Sequence, residues 1–207
     1  IENKTLTKEK NNNLFSKEKS NLKRIVVIEE LLKKINIKTN IVSTTGFTSR
    51  ELMEIRKKEK RGNDFYMVGA MGHSAALSLS ISLNSKKQTI CLDGDGSLLM
   101  HLGSLTTIGF FGKKNFKHIL FNNNAHESVG GQKTNVDKIN FQKLIKSIGY
   151  RKYILIKNKK ELNVKINQFL KSPGPVFMEV KIAQGSIKNL MRPDNLIKIK
   201  NKFMSNV

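Results

Sequence analysis

The sequence predicts an α/β fold with a mostly parallel sheet flanked by helices, and three observations predict it. Short apolar runs rich in Ile, Val and Phe alternate with segments of helical period along most of the chain. Successive runs end in small, polar or glycine-rich turns: TTG, GAMG, GDG and NNN. The length of 207 residues and the 38% hydrophobic content suffice to enclose one core, and no fixed-period repeat competes with that reading.

Residues 1–20, IENKTLTKEKNNNLFSKEKS, are polar without sustained periodicity and read as a linker or irregular lead-in; residues 21–207 read as the domain. LKRIVVIEELLKKI sets Leu22, Ile25, Ile28, Leu31 and Leu32 at helical spacing, with Ser20 or Asn21 available as a cap. TNIVSTTG follows as a short strand, and TSRELMEIRKKEK as a helix with a hydroxyl cap. DFYMVGAMG is a strand broken by glycines ahead of the helix HSAALSLSISL. KQTICLDGDG precedes a single helix, SLLMHLGSLTTIGFF. FKHILFNNN is the next strand, and after an Asn- and Gly-rich stretch come the helix NFQKLIKSIGY, the strand YILIK, the helix ELNVKINQFLKS and the strand GPVFMEVKI.

The net charge of +22 raises a nucleic-acid reading, because clustered cations release phosphate counterions. The excess is spread, however: +5 over residues 1–40, +7 over 41–150 and +10 over 151–207. It reads as a solvated lysine-rich surface, with a basic nucleic-acid-binding module kept as the alternative from another class. No run is apolar enough to span a bilayer, so a cytoplasmic location is expected. The single cysteine, Cys91, lies in an apolar run and reads as a reduced core thiol.

In parallel α/β folds ligands sit outside the carboxyl ends of the strands, which is where the four turns fall. Glycines there let backbone N–H groups approach an anion, and a helix start favours phosphate. Asp95, between Gly94 and Gly96, would repel a bare phosphate. A divalent cation between them removes the conflict, and Mg²⁺, which takes oxygen ligands from protein and phosphates together, suits it. The asparagines that end the following strand could complete the sphere. The 25 residues 97–121 provide one helix and one strand, enough to bring them back beside GDG.

GDGS at Gly94–Ser97 with NN at Asn122 and Asn123 resembles the diphosphate and metal motif of the thiamine diphosphate enzymes. Taken together, STTGFTSRELMEIR, DFYMVGAMGHSAALSLSISL, ICLDGDGSLLMHLGSLTTIG and LFNNNAHESVGGQKT resemble the cofactor-binding half of the phosphonopyruvate decarboxylases, with the sulfopyruvate decarboxylases closely related. The resemblance runs from about Ile41 to MRPDNLIKIKNKFM. It implies that Asp95, Asn123 and the Ala125 carbonyl hold Mg²⁺. It also implies that Gly94, Gly96 and Ser97 meet the diphosphate of thiamine diphosphate, with Thr45 and Gly46 contacting it from the first strand end. The Gly69 carbonyl would accept the aminopyrimidine N–H, and Met71 would wedge the cofactor into its bent shape.

The implied reaction is decarboxylation of an anionic 2-oxo acid to an aldehyde, phosphonoacetaldehyde in the case of phosphonopyruvate. His126, beside the metal loop, is a candidate for an active-site role, and Arg50 and Lys133 are further candidates for binding the substrate anion. His73, His101 and His118 read as structural, and Phe47 as a position that could tune the substrate. The family also uses a glutamate to activate the pyrimidine ring, supplied by a separate pyrimidine-binding domain. Glu51, Glu54 and Glu127 lie in motifs assigned elsewhere, so that glutamate is expected from a partner polypeptide or another half, in a homo- or hetero-oligomer.

Overall fold

The computed structural model describes residues 20–59, 62 and 64–207. The expected lead-in over residues 1–20 lies outside the described residues except for Ser20. Helix α1 (Arg24–Leu32) is followed by β1 (Asn40–Ser43), α2 (Phe47–Glu59), β2 (Asp64–Tyr66), α3 (Ser74–Asn84) and β3 (Thr89–Gly94). Next come α4 (Asp95–Met100), α5 (Ser104–Phe111), β4 (Phe116–Asn122), and a small antiparallel pair, β5 (Ala125–His126) and β6 (Gln132–Lys133). The chain ends with α6 (Phe141–Ser147), β7 (Lys152–Ile156), α7 (Lys159–Lys171), β8 (Val176–Lys181) and α8 (Leu196–Met204).

Six strands form one sheet in the order β2-β1-β3-β4-β8-β7, and every neighbouring pair is parallel. Such a sheet must be covered on both faces, which is why its strands read as near-continuous apolar runs and all seven residues of β4 are buried. The strand period of two divides the cores. Ile90 and Leu92 face a cluster built with α1, α2 and α7, where Ile28, Leu52 and Phe169 are buried. Cys91 faces the opposite cluster, with Leu79 of α3, Leu105 and Ile108 of α5 and Phe141 of α6. The chain leaves β1 toward β2 on one side, while β3 continues to β4 on the other. The crevice at this change of direction lies outside the carboxyl ends of β1 and β3.

Three local expectations are corrected. The segment SLLMHLGSLTTIGFF is two helices, because His101 leaves the helical region (φ −132°, ψ 44°) to set its ring against Gly72, where an added Cβ would lie 2.3 Å from His101 Nδ1. Neither Ser20 nor Asn21 caps α1. Its N-cap is Lys23, without a side-chain bond, and Ser20 Oγ instead donates to the Lys181 carbonyl at 2.8 Å. The terminal helix α8 has no counterpart among the expected elements. It buries one residue, Phe203, whose ring meets Phe65 edge-on at 5.5 Å, and its signal was present in the sequence, with Leu196, Ile199 and Phe203 at helical spacing behind the Asn195 cap.

Candidate cofactor site

Strand β3 delivers its last residue, Gly94, to the crevice, and Asp95 opens α4 with only 3% of its surface exposed. Its Oδ1 accepts the Gly96 N–H at 2.9 Å and its Oδ2 accepts the Thr134 hydroxyl at 3.0 Å. Burial pushes the Asp95 carboxyl up. The Thr134 hydroxyl, the Gly96 and Asn124 backbone and the nearby His126 pull the other way without overcoming it. Among the described residues Asp95 has no Lys or Arg ion pair. The result is a buried carboxylate that a cation would stabilise.

The three asparagines after β4 have separate uses. Asn122 turns toward β8 and donates to Glu179 Oε1 at 2.7 Å. Asn124 takes the left-handed conformation (φ 57°) that short polar side chains tolerate, and so turns the chain. Asn123 faces the cleft. Its Oδ1 accepts the Ala125 N–H at 3.1 Å and its Nδ2 donates to Glu127 Oε2 at 3.0 Å, which fixes the amide plane and its two ends.

Ser97 ties three strand ends together, because its Oγ accepts both the Thr44 hydroxyl at 2.7 Å and the Gly72 N–H at 3.0 Å. The GAMG turn needs positive φ at Gly69 (71°), Ala70 (47°) and Gly72 (92°), and this sharp path brings Met71 to the cleft. At Gly96 a Cβ would lie 2.3 Å from His126 Nδ1, so the glycine is what lets the imidazole close over the floor.

The sequence-predicted residues converge. Thr45, Met71 and Gly94 line one cleft that opens to solvent, together with Asp95, Gly96 and Ser97. Asn123, Ala125 and His126 line its other wall. Gly46 (φ 90°) stands at the rim, with Ser128 Oγ 2.7 Å from where its Cβ would be, and Gly69 is exposed beyond Met71. Lys133 is not brought in: it is exposed and pairs with Asp137 at 3.1 Å. Arg50 lies outside the lining but near it, 5.6 Å from the centroid of the Phe47 ring, which does line the cleft.

Sequence reasoning missed Arg24 and Thr134, and weighed Glu127 only as an activating glutamate. Arg24 is buried in the cleft wall and donates to Glu127 Oε2 at 2.5 Å and to Glu51 Oε2 at 3.5 Å. No local pattern signals a pair separated by 103 residues. Thr134 lay within a quoted motif, and only the turn through β5 and β6 reveals its bond to Asp95.

The donor set tests the expected ion. A carboxylate, a primary amide oxygen and a main-chain carbonyl are all hard oxygens, which suits Mg²⁺ and not a thiophilic metal. Cys91, Asp93 and His118 also bring ligand atoms within 4.8 Å of one another. That trio is fully buried in the core, with Asp93 Oδ1 accepting the Gly94 N–H and His118 set between Asp93 and Tyr150. Burial, with the nearby Asp93 carboxylate, pushes the Cys91 thiol up. The cluster is a polar core contact under the GDG turn.

Residues 43–180 match the family model described as thiamine pyrophosphate enzyme, C-terminal TPP binding domain. Phosphonopyruvate decarboxylase of Streptomyces viridochromogenes is 36% identical over 170 residues, covering 82% of this chain and 42% of that protein. Sulfopyruvate decarboxylase subunit beta of Methanocaldococcus jannaschii is 39% identical over 128 residues, 61% of this chain and 66% of the subunit. The same subunit of Methanothermobacter thermautotrophicus is 33% identical over 165 residues, 80% of this chain and 84% of the subunit. The chain thus spans less than half the length of the phosphonopyruvate decarboxylase it matches. Its match covers the TTG turn that follows β1 and the GDG and NNN turns that form the cleft, and the chain belongs to the thiamine pyrophosphate enzymes, whose C-terminal TPP binding domain it carries.

Proposed function

We propose that this chain is the diphosphate-binding half of a thiamine diphosphate- and Mg²⁺-dependent 2-oxo acid decarboxylase, and that its substrate is phosphonopyruvate. The observation that carries the reading is that the buried Asp95 carboxylate lines one glycine-floored cleft at the change of strand direction with Asn123 and Ala125, whose amide and main-chain oxygens bring the set to three. Those three oxygens would hold Mg²⁺ against the diphosphate.

Bound in the cleft, thiamine diphosphate supplies the electron sink that lets a 2-oxo acid lose CO₂. The chain's residues bind and orient it. Gly94, Gly96 and Ser97 offer backbone to the diphosphate at the cleft floor, with Thr45 and Gly46 opposite. The Gly96 N–H, bonded here to Asp95 Oδ1, would have to be shared or released for that contact. The Gly69 carbonyl would receive the pyrimidine amino group, and Met71 would pack against the bound cofactor. His126, closed over Gly96, is the imidazole this chain contributes to the site.

The activating glutamate is assigned to a pyrimidine-binding domain or subunit. Glu51 and Glu127 are both bonded to Arg24, and Glu54 pairs with Lys57 at 3.1 Å. Relatives named as a beta subunit support an arrangement in which the two halves are separate chains in an oligomer. The choice of phosphonopyruvate rests on the longer 170-residue match. Sulfopyruvate is the second reading, favoured by the 84% coverage of a beta subunit.

Decarboxylation of both acids, measured in parallel with the pyrimidine-domain partner, thiamine diphosphate and Mg²⁺ present, tests the reading. Preferential turnover of phosphonopyruvate supports it, and preferential turnover of sulfopyruvate transfers the proposal to the second substrate. Salt-sensitive retention on nucleic acid without cofactor binding would favour the basic-module alternative.

A further inference from the structure

We infer that Glu127, held by the buried Arg24, is a positioning residue that orients Asn123 for the metal. A primary amide can present either its oxygen or its nitrogen to a cation, and only the oxygen is a ligand. Glu127 resolves the choice, because its Oε2 accepts from Asn123 Nδ2 at 3.0 Å and an ionised carboxylate accepts hydrogen bonds without donating them. With the nitrogen end committed, Oδ1 is left to the cleft side, where the Ala125 N–H uses one of its two lone pairs.

The carboxylate itself is held from several directions. Arg24 donates to the same Oε2 at 2.5 Å, and the Gly185 N–H donates to Oε1. Arg24 in turn reaches Glu51 Oε2 at 3.5 Å, and Glu51 Oε1 accepts the Ile187 N–H at 3.3 Å. Four separate stretches of chain therefore meet at one charged cluster: α1, α2, the turn after β4 and the segment after β8. Isolated charges are rarely kept this far from water unless they are paired. Here the two carboxylates share one guanidinium, and the cluster's outward bond goes to the expected metal ligand. Partners that orient a ligand in this way typically govern metal affinity about 10- to 100-fold.

The inference rests on the cofactor reading proposed above. The test measures Mn²⁺ uptake by electron paramagnetic resonance, with thiamine diphosphate present, on the full-length protein that carries this chain. Thermal midpoints of the metal-free protein are recorded alongside. Glu127→Gln keeps an acceptor for Asn123 and is expected to retain most of the affinity. Glu127→Met removes it and is expected to weaken Mn²⁺ binding about 10- to 100-fold. Because Arg24 is shared with the buried Glu51, the triple variant Arg24→Met/Glu51→Met/Glu127→Met removes the whole charged cluster without stranding a partner; it is expected to recover the thermal midpoint but not the Mn²⁺ affinity. Parent-like Mn²⁺ affinity in Glu127→Met, or recovery of affinity together with stability in the triple variant, overturns the positioning role and leaves the cofactor reading intact. A parent protein that takes up no Mn²⁺ with thiamine diphosphate overturns both.

Discussion

Thr134 Oγ1 donates to Asp95 Oδ2 at 3.0 Å, joining the turn of β6 to the first residue of α4 across 39 positions of sequence. The bond holds one oxygen of a carboxylate that has 3% exposure and no Lys or Arg ion pair among the described residues. Asp95→Asn is expected to weaken Mg²⁺-dependent thiamine diphosphate binding by about 100-fold, which corresponds to about 2.7 kcal/mol. Thr134→Val is expected to weaken it less. Isothermal titration of cofactor with and without Mg²⁺ checks both, and equal binding by Asp95→Asn would remove Asp95 from the metal site.

The same burial gives a pH signature. Because the folded-state pKa of Asp95 is raised, ionisation costs stability, and the cost appears as pH rises through the carboxylate range. Metal-free Asp95→Asn is therefore expected to be more stable than the parent at pH 7, with the advantage disappearing below about pH 4. Thermal melts at the two pH values decide it, and a pH-independent difference would contradict the cause given.

Gly96→Ala places a Cβ 2.3 Å from His126 Nδ1. The backbone there is not left-handed, so the fold tolerates alanine and the imidazole must move. Cofactor binding is expected to fall about tenfold, or about 1.4 kcal/mol. Adding His126→Ala should recover most of that loss in a binding assay. If it does not, the added methyl group obstructs the cofactor directly and not through the imidazole.

Lys117 is a buried ammonium in β4. Burial, with some help from Lys152, pushes its pKa down to about 8 from 10.5. The cost of burying the charged form is fully present below pH 8 and fades as pH rises toward 10.5. Lys117→Met is thus expected to gain most over the parent at pH 7, with the gap narrowing toward pH 10.5. Chemical denaturation at both pH values checks it, and a constant gap would show that the ammonium is not penalised.

Arg56 Nε donates to Asp64 Oδ2 at 2.7 Å and Nη2 donates to Oδ1 at 3.2 Å, with both residues buried. Asp64→Ala leaves a buried guanidinium without its main partner and is expected to cost about 3–5 kcal/mol. Equilibrium denaturation of the variant measures it. A loss below about 1 kcal/mol would place the pair with exposed ion pairs.

Much of this arrangement was legible. Runs such as TICL and HILF are apolar throughout because a parallel strand covered on both faces has no solvent side, so each of the six sheet strands could be located. The turns were legible as punctuation, since TTG, GAMG, GDG and NNN interrupt apolar runs where backbone must bend. Less legible were features without local periodicity. The break at His101 follows from a ring fitting over a glycine 29 positions earlier.

The sequence alone determined the alternation of strands and helices, the placement of polar turns at strand ends and the family that the turns resemble, because periodicity and turn chemistry act between near neighbours. Tertiary structure decided which asparagine faces the cleft, that Thr134 holds Asp95, and that Arg24 stands between Glu51 and Glu127. Those choices depend on hydrogen bonds and buried charges between residues 27 to 103 positions apart. Such partners meet only once the sheet has fixed the strand order, and burial then makes each pairing costly to lose.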